Sequence, residues 1–230
     1  MQDLTLQGIT PPLRLADFRL AAFDMDSTLI NIECIDEIAA AAGRKAEVAA
    51  ITEAAMRGEI TDFKDSLRRR LALLKGVPVA ALEQVLTGKL RFNPGARELC
   101  AALKAAGLTL VLVSGGFTWF TRHVAAELGM DFVRSNELEI VDGALTGGLV
   151  MQAWGEICDG EEKRRMMLQC AADIAALPAQ CIAVGDGAND LPMMGAAGLS
   201  VAYHAKPRVR AQAMVAIDEG GLDRLLGLFT

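Results

Sequence analysis

Ala21-Ala22-Phe23-Asp24-Met25-Asp26-Ser27-Thr28-Leu29-Ile30 is an apolar run that stops at two carboxylates in a turn of small residues and then resumes. From Leu20 onward it has the length and flanks of a buried strand, which places Asp24 and Asp26 at the strand's carboxyl end. In open α/β sheets that edge is where ligands bind. One residue separates the two acids, a spacing suited to a nucleophile and a proton donor, although an Asp beside Ser and Thr also commonly caps a helix.

On the amino-terminal side, Met1 to Phe18 reads as a lead-in, with Pro11-Pro12 marking an extended stretch. On the other side, Cys34 to Ala42 reads as a helix stopped by Gly43. Helical spacing then continues through Lys45 to Met56, Asp62 to Lys75 and Val79 to Leu86, with breaks at Gly58 and Gly76-Val77-Pro78 and no strand between. This predicts a helical insert packed over the site. After Asn93-Pro94-Gly95, strand and helix alternate. Leu108 to Val113, Phe132-Val133, Cys181 to Val184, Leu199 to Ala202 and Met214 to Ile217 read as strands. Arg97 to Ala106, Trp119 to Leu128, Glu161 to Ala176 and Leu191 to Ala197 read as helices, and Leu138 to Val150 as a hairpin turning at Asp142-Gly143. The fold class that follows is α/β, with a mostly parallel sheet and helices on its faces.

Composition narrows the function. The 230 residues are 52% hydrophobic and 5% aromatic, so Leu, Ala, Val and Met must fill the core. A net charge of −6 without clustered basic residues argues against a nucleic-acid partner, and no apolar run approaches the roughly 20 residues of a membrane span. The amino terminus has Asp3 early and no long apolar core, so no secretory signal is expected. Five cysteines, odd in number and without a Cys-x-x-Cys pair, signal neither a disulfide framework nor a zinc site, and the expected location is a reduced cytoplasm. His123, His204, Cys34 and the pairs Met166-Met167 and Met193-Met194 read as packing or loop residues without chemistry of their own.

Three strand ends carry polar, glycine-rich turns: Asp24-Met25-Asp26, Ser114-Gly115-Gly116, and Gly185-Asp186-Gly187-Ala188-Asn189-Asp190. A parallel sheet brings all three to one edge. Ser114 offers a hydroxyl, and the glycines after it let backbone N–H groups approach an anion at the start of a helix. Asp186 and Asp190 supply hard oxygen ligands for a magnesium ion, or form an Asx turn.

In order and context these three motifs resemble those of the haloacid dehalogenase superfamily, and within it the phosphoserine phosphatase family. Ile35-Asp36-Glu37-Ile38, Ser66-Leu67-Arg68 and Ala202-Tyr203-His204-Ala205-Lys206-Pro207 are similar as well. The resemblance spans nearly the whole chain beyond the lead-in. It implies a Rossmann-like core, residues 1–30 and 91–230, with a small helical cap, residues 31–90, inserted after the first strand. It also implies hydrolysis of the small-molecule phosphomonoester O-phosphoserine to serine and phosphate, the last step of serine biosynthesis. Asp24 then matches the nucleophile that forms an aspartyl-phosphate, and Asp26 the acid and base. At an effective dielectric near 20, each phosphate charge about 4 Å away repels an anionic nucleophile by roughly 4 kcal/mol. Mg2+ offsets this in the family, with ligands matching Asp24, Asp26 through its backbone carbonyl, and Asp186, and with Asp190 as an auxiliary ligand or a support behind them. Lys163 matches the remaining positive charge, with Arg164 as the neighbouring alternative. Ser114, Gly115 and Asn189 match substrate contacts.

Substrate choice falls to the cap. Glu33 matches the family's ammonium contact, and Arg70 its carboxylate contact. At 100° per residue Phe63, Leu67, Leu71 and Leu74 form one stripe, with Arg70 at its edge and Arg68 and Arg69 pointing away. Two other readings stay open from the residues alone. One is transfer of the phosphoryl group to an alcohol such as homoserine instead of water. The other is a phosphoacceptor signalling module in which Asp24 is phosphorylated and read by a partner.

Overall fold

A computed structural model describes residues 4–56 and 62–230. Gly58, expected to separate two helices, lies outside the described residues. In chain order the elements are β1 (Leu4–Leu6), β2 (Leu20–Phe23), α1 (Cys34–Ala41), α2 (Lys45–Met56), α3 (Phe63–Ala72), α4 (Val79–Gly88), α5 (Ala96–Ala105) and β3 (Thr109–Phe117). They continue with α6 (Thr118–Leu128), β4 (Phe132–Asn136), β5 (Leu138–Val141), β6 (Ala144–Leu149), α7 (Gly160–Asp173), β7 (Cys181–Gly185), α8 (Leu191–Ala196), β8 (Leu199–Tyr203), α9 (Pro207–Arg210) and β9 (Val215–Ile217). Among the described residues seven strands make one sheet in the order β1-β9-β8-β7-β2-β3-β4, parallel throughout except where β1 pairs antiparallel with β9.

Alternation along each inner strand builds the two faces. Ala21 and Phe23 of β2 join Leu110 and Leu112 of β3 and Ile182 and Val184 of β7 in one apolar cluster, which α5 completes with Leu99 and Leu103 and α6 with Phe120 and Val124. Leu20 and Ala22 join Val111, Val113, Cys181 and Ala183 in the other, under Met166 and Met167 of α7 and Met193 and Met194 of α8. A sheet buried on both faces needs apolar residues at consecutive positions, which is why these strands read as unbroken apolar runs. The five cysteines are all buried thiols, and no helix among the described residues is long and apolar enough to cross a membrane.

Two expectations need correction. The lead-in contributes a strand of its own: Leu4, Thr5 and Leu6 pair with Ile217, Ala216 and Val215 and close one edge of the sheet. Ser114-Gly115-Gly116 is not a turn but part of β3, which runs to Phe117 with a register irregularity after Val113 before α6 begins at Thr118. The missing side chains at Gly115 and Gly116 lower β-propensity, and pairing with β4 overrides this.

The helices α1 to α4 follow β2 without an intervening strand among the described residues. They do not stand alone. The β5–β6 hairpin, which turns through Asp142 (φ 49°) and Gly143 (φ 76°), bonds its tip to the α3–α4 connection. Gly76 N–H donates to the Leu145 carbonyl (2.8 Å), Leu145 N–H to Val77 (2.8 Å) and Val79 N–H to Gly143 (3.0 Å).

Candidate active site

Register decides what meets at the carboxyl edge. Phe23, the last residue of β2, pairs with Leu112 of β3 and Val184 of β7. Asp24 is therefore one residue past the paired row, and Ser114 and Asp186 two residues past it. Asp24 N–H continues the ladder by donating to the Val184 carbonyl at 3.0 Å. The chain then turns back on itself, with the N–H groups of Thr28, Leu29 and Ile30 all donating to the Met25 carbonyl. The Asn93 side-chain amide donates to the carbonyls of Thr28 (2.8 Å) and Ile30 (3.0 Å), holding this loop in place.

Lys163 sits one turn into α7, whose N-cap Asp159 accepts the Glu162 N–H. Its side chain is fully buried, and its Nζ lies 2.7 Å from Asp24 Oδ1 and 2.7 Å from Asp190 Oδ1. Burial opposes its charge, but the two carboxylates dominate and raise its pKa. Arg164, the alternative, is on the exposed side of α7 and pairs with Glu161 at 2.6 Å. Asp24 Oδ1 also accepts the Met25 N–H at 2.7 Å, while its Oδ2 accepts no hydrogen bond among the described residues. Asp190 is saturated: its Oδ2 takes the N–H groups of Asp186 (3.2 Å) and Gly187 (3.0 Å). A Cβ on Gly185 would come within 2.4 Å of the Asp190 carboxyl carbon, so this position must be glycine for the pair to pack.

Negative charge accumulates around that one lysine. Asp24, Asp186 and Asp190 bring carboxylate oxygens within 4.8 Å of one another. Burial and the neighbouring Asp190 push Asp24 well above the usual carboxylate range, and the same two causes bring Asp186 up to about 7. Thr28, buried, donates to Asp186 at 3.1 Å. Asp24 and Asp186, hard oxygen donors short of positive charge with the saturated Asp190 behind them, fit a divalent cation held by oxygen ligands.

Asp26 differs from Asp24. Its Oδ2 takes a long hydrogen bond from Cys34 N–H (3.4 Å), and its Oδ1 is buried with no partner. Burial first, then Glu33, raises its pKa to about 8, so the carboxyl is protonated at neutral pH.

A cavity of about 900 Å³ opens above these groups, lined by Asp24, Asp26, Ser114, Gly115, Asp186 and Asn189 from the sheet edge and by Glu33, Asp36, Phe63 and Arg70 from the helices. Ser114 is buried and its Oγ accepts the Gly116 N–H at 2.9 Å. The Phe63 ring stands over Gly115, where a Cβ would lie 3.1 Å from it. On α3, Leu67 and Leu71 are buried and Arg70 faces the cavity. Arg68 and Arg69 are exposed and pair with Glu156 and Asp65, each at 2.8 Å. Glu33 is exposed at the start of α1, its Oε1 accepting the Ser27 hydroxyl at 2.7 Å. His123 stacks on Phe92, and His204 bonds the Gly220 carbonyl, both away from the cavity.

Sequence reasoning missed several residues of this site. Phe63, expected only in the apolar stripe of α3, also walls the cavity. Asn136 links Gly115 to the segment before α7, donating to the Gly115 carbonyl and accepting the Cys158 N–H, both at 2.7 Å. Lys206, at the N-cap of α9, and Arg208, within α9, also reach the cavity. Asn136 and Arg208 have no local signal, since each acts on a partner at least 20 positions away or across the cavity, whereas Lys206 lies in the Ala202 to Pro207 segment that resembles the family.

The haloacid dehalogenase-like hydrolase family matches residues 21–195. A phosphoserine phosphatase of Polaromonas sp. is 68% identical over 225 residues, covering 98% of this chain and 95% of that protein. A phosphoserine phosphatase of Albidiferax ferrireducens is 66% identical over 226 residues, with 98% and 95% covered. A solved phospho-aspartyl intermediate analogue of phosphoserine phosphatase has a TM-score of 0.85 at 37% identity, over 93% of this chain and 99% of that one.

Proposed function

Since this chain belongs to the haloacid dehalogenase-like hydrolase family, we propose that it hydrolyses O-phosphoserine to serine and inorganic phosphate, the reaction that ends serine biosynthesis. The observation that carries this reading is the division of labour at Asp24: Oδ1 is held by Lys163 and the Met25 N–H, and Oδ2 is left without a hydrogen bond beside the cavity. Relatives named phosphoserine phosphatase over almost their full length support the substrate.

In this mechanism Asp24 Oδ2 attacks phosphorus, and the bond from phosphorus to the serine oxygen breaks. Protonated at neutral pH, Asp26 gives its proton to that oxygen, and serine departs. The aspartyl-phosphate is then hydrolysed: Asp26, now a carboxylate, takes a proton from water as the water attacks phosphorus, and phosphate and the Asp24 carboxylate are released. Lys163 holds Asp24 in its attacking orientation and offsets charge on the phosphoryl group, to which Ser114, the Gly115 N–H and Asn189 contribute hydrogen bonds. Asp24, Asp186 and the Asp26 backbone carbonyl would hold Mg2+, with Asp190 bracing the set, and the bound ion would supply the positive charge that lets an anionic nucleophile approach an anionic ester. Residues 31–90 act as a cap on a core formed by 1–30 and 91–230, with the β5–β6 hairpin as a brace. Arg70 and Glu33 read the substrate's carboxylate and ammonium. Five buried thiols suit a reducing compartment, and we place the protein in the cytoplasm.

The test is phosphate release from a panel of phosphorylated amino acids and sugars, with and without Mg2+ and with alcohol acceptors. Magnesium-dependent release from O-phosphoserine above the other esters is expected, with water as acceptor. Preference for a sugar phosphate, or transfer to an alcohol without phosphate release, would overturn the reading.

A further inference from the structure

Asp36 lies in the first turn of α1, three residues after Glu33 and so on the same side of the helix. It lines the cavity, and its Oδ1 is buried without a hydrogen-bond partner. A buried polar atom left unpaired costs folding free energy and calls for an explanation in the site's use. Burial raises the Asp36 pKa, and the strongest opposing influence is Arg70, across the cavity on α3. Yet Arg70 makes no ion pair with it within 4.0 Å among the described residues; the guanidinium has one long hydrogen bond, from Nε to the Ser66 carbonyl at 3.4 Å. The cavity therefore contains an acid and a base held apart and each incompletely satisfied. A ligand carrying both charges on adjacent atoms, as an α-amino acid does, would satisfy both. One acid is too few for its ammonium, which has three N–H donors, and Glu33 already spends Oε1 on the Ser27 hydroxyl.

We propose that Asp36 is a specificity-determining residue that accepts a hydrogen bond from the substrate's ammonium, alongside Glu33 and opposite Arg70. This deepens the phosphoserine reading and rests on it. Asp36 makes no contact with the reacting phosphoryl group, so its effect follows the amino group and not the chemistry.

The test compares kcat/KM of the Mg2+-loaded protein on three esters: O-phosphoserine, its deamino analogue 3-phosphooxypropionate, and O-phosphoethanolamine, which has the ammonium without the carboxylate. Asp36→Asn keeps the shape and removes the charge, Asp36→Ser is a second variant should the first not fold, and Glu37→Gln is the control on the same turn. The expected result is a fall of roughly ten- to a hundredfold on the two ammonium-bearing esters relative to the deamino analogue, as for loss of a hydrogen bond to a charged group. Equal loss on all three would make Asp36 structural and overturn the proposal. Loss on the two carboxylate-bearing esters alone would show that it acts through Arg70, and would overturn it too. A wild-type protein without preference for phosphoserine over its deamino analogue would instead overturn the substrate reading itself.

Discussion

Asp24 and Asp26 are two residues apart, yet they sit in different environments, which suits them to the two roles proposed above. Asp24 continues the β2 ladder, and its Oδ1 is fixed by a fully buried ammonium at 2.7 Å. Removing one partner of a buried ion pair typically costs about 3–5 kcal/mol, so this carboxylate is rigidly placed. Asp26 sits at the start of the turn with an orphaned oxygen and a pKa of about 8, which keeps a transferable proton at physiological pH. Asp26→Asn should therefore slow phosphate release from phosphoserine by roughly a hundredfold or more, the usual contribution of general acid catalysis. Release from p-nitrophenyl phosphate should suffer much less in the first step, because nitrophenolate leaves without a proton. Single-turnover rates on both esters check this, and equal slowing would remove the donor role from Asp26.

At the scale of one helix, α3 sorts three consecutive arginines by rotation alone. Leu67 and Leu71 are buried, and at 100° per residue this turns Arg70 to the cavity and leaves Arg68 and Arg69 outside. Arg68 with Glu156, and Lys64 with Asp159 (3.0 Å), tie α3 to the segment just before Lys163. These pairs are half exposed and contribute little each. Arg70→Ala should lower the ratio of kcat/KM on phosphoserine to that on p-nitrophenyl phosphate by about ten- to a hundredfold. Arg69→Ala, losing only a surface pair with Asp65, should leave the ratio near wild type. Steady-state kinetics on folded variants decide it; the opposite ranking would mean the helix register is wrong.

Across the whole molecule, the sheet concentrates acids at one edge against a single buried lysine, and this links stability to pH. Asp24, Asp26 at about 8 and Asp186 at about 7 all have folded pKa values above the usual carboxylate range. The folded protein thus keeps protons that the unfolded chain releases. The stability this contributes is fully present below the unfolded value of 3.8 and is lost as pH rises through 7 to 8. In chelator, Tm should fall by several degrees, at about 2–4 °C per kcal/mol, between pH 5 and 9. Magnesium should shrink that fall, because it binds the deprotonated site and stabilises the fold more as pH rises. Thermal melts across this range with and without Mg2+ test the linkage. A Tm independent of pH in chelator would show that these acids are not crowded as described.

What the sequence determined by itself was local pattern. Unbroken apolar runs at Leu20, Leu108 and Cys181 announced strands buried on both faces, and polar residues at their ends announced the site, because a parallel sheet aligns strand ends. The spacing of Leu67 and Leu71 likewise set the face of α3, since burial at helical spacing is written within one element. Tertiary structure decided the rest. Lys163 and Arg164 are equivalent in a run of five charged residues until α7 docks on the sheet and one of them is enclosed. Leu4–Leu6 has too few residues to declare itself a strand and becomes one by pairing with β9, more than 200 positions away. Ser114-Gly115-Gly116 has the composition of a turn but is held extended by neighbours, and the unpaired charges of Asp36 and Arg70 meet only across a cavity. Periodicity is a property of neighbours in the chain, whereas burial of a charge depends on which distant elements close around it.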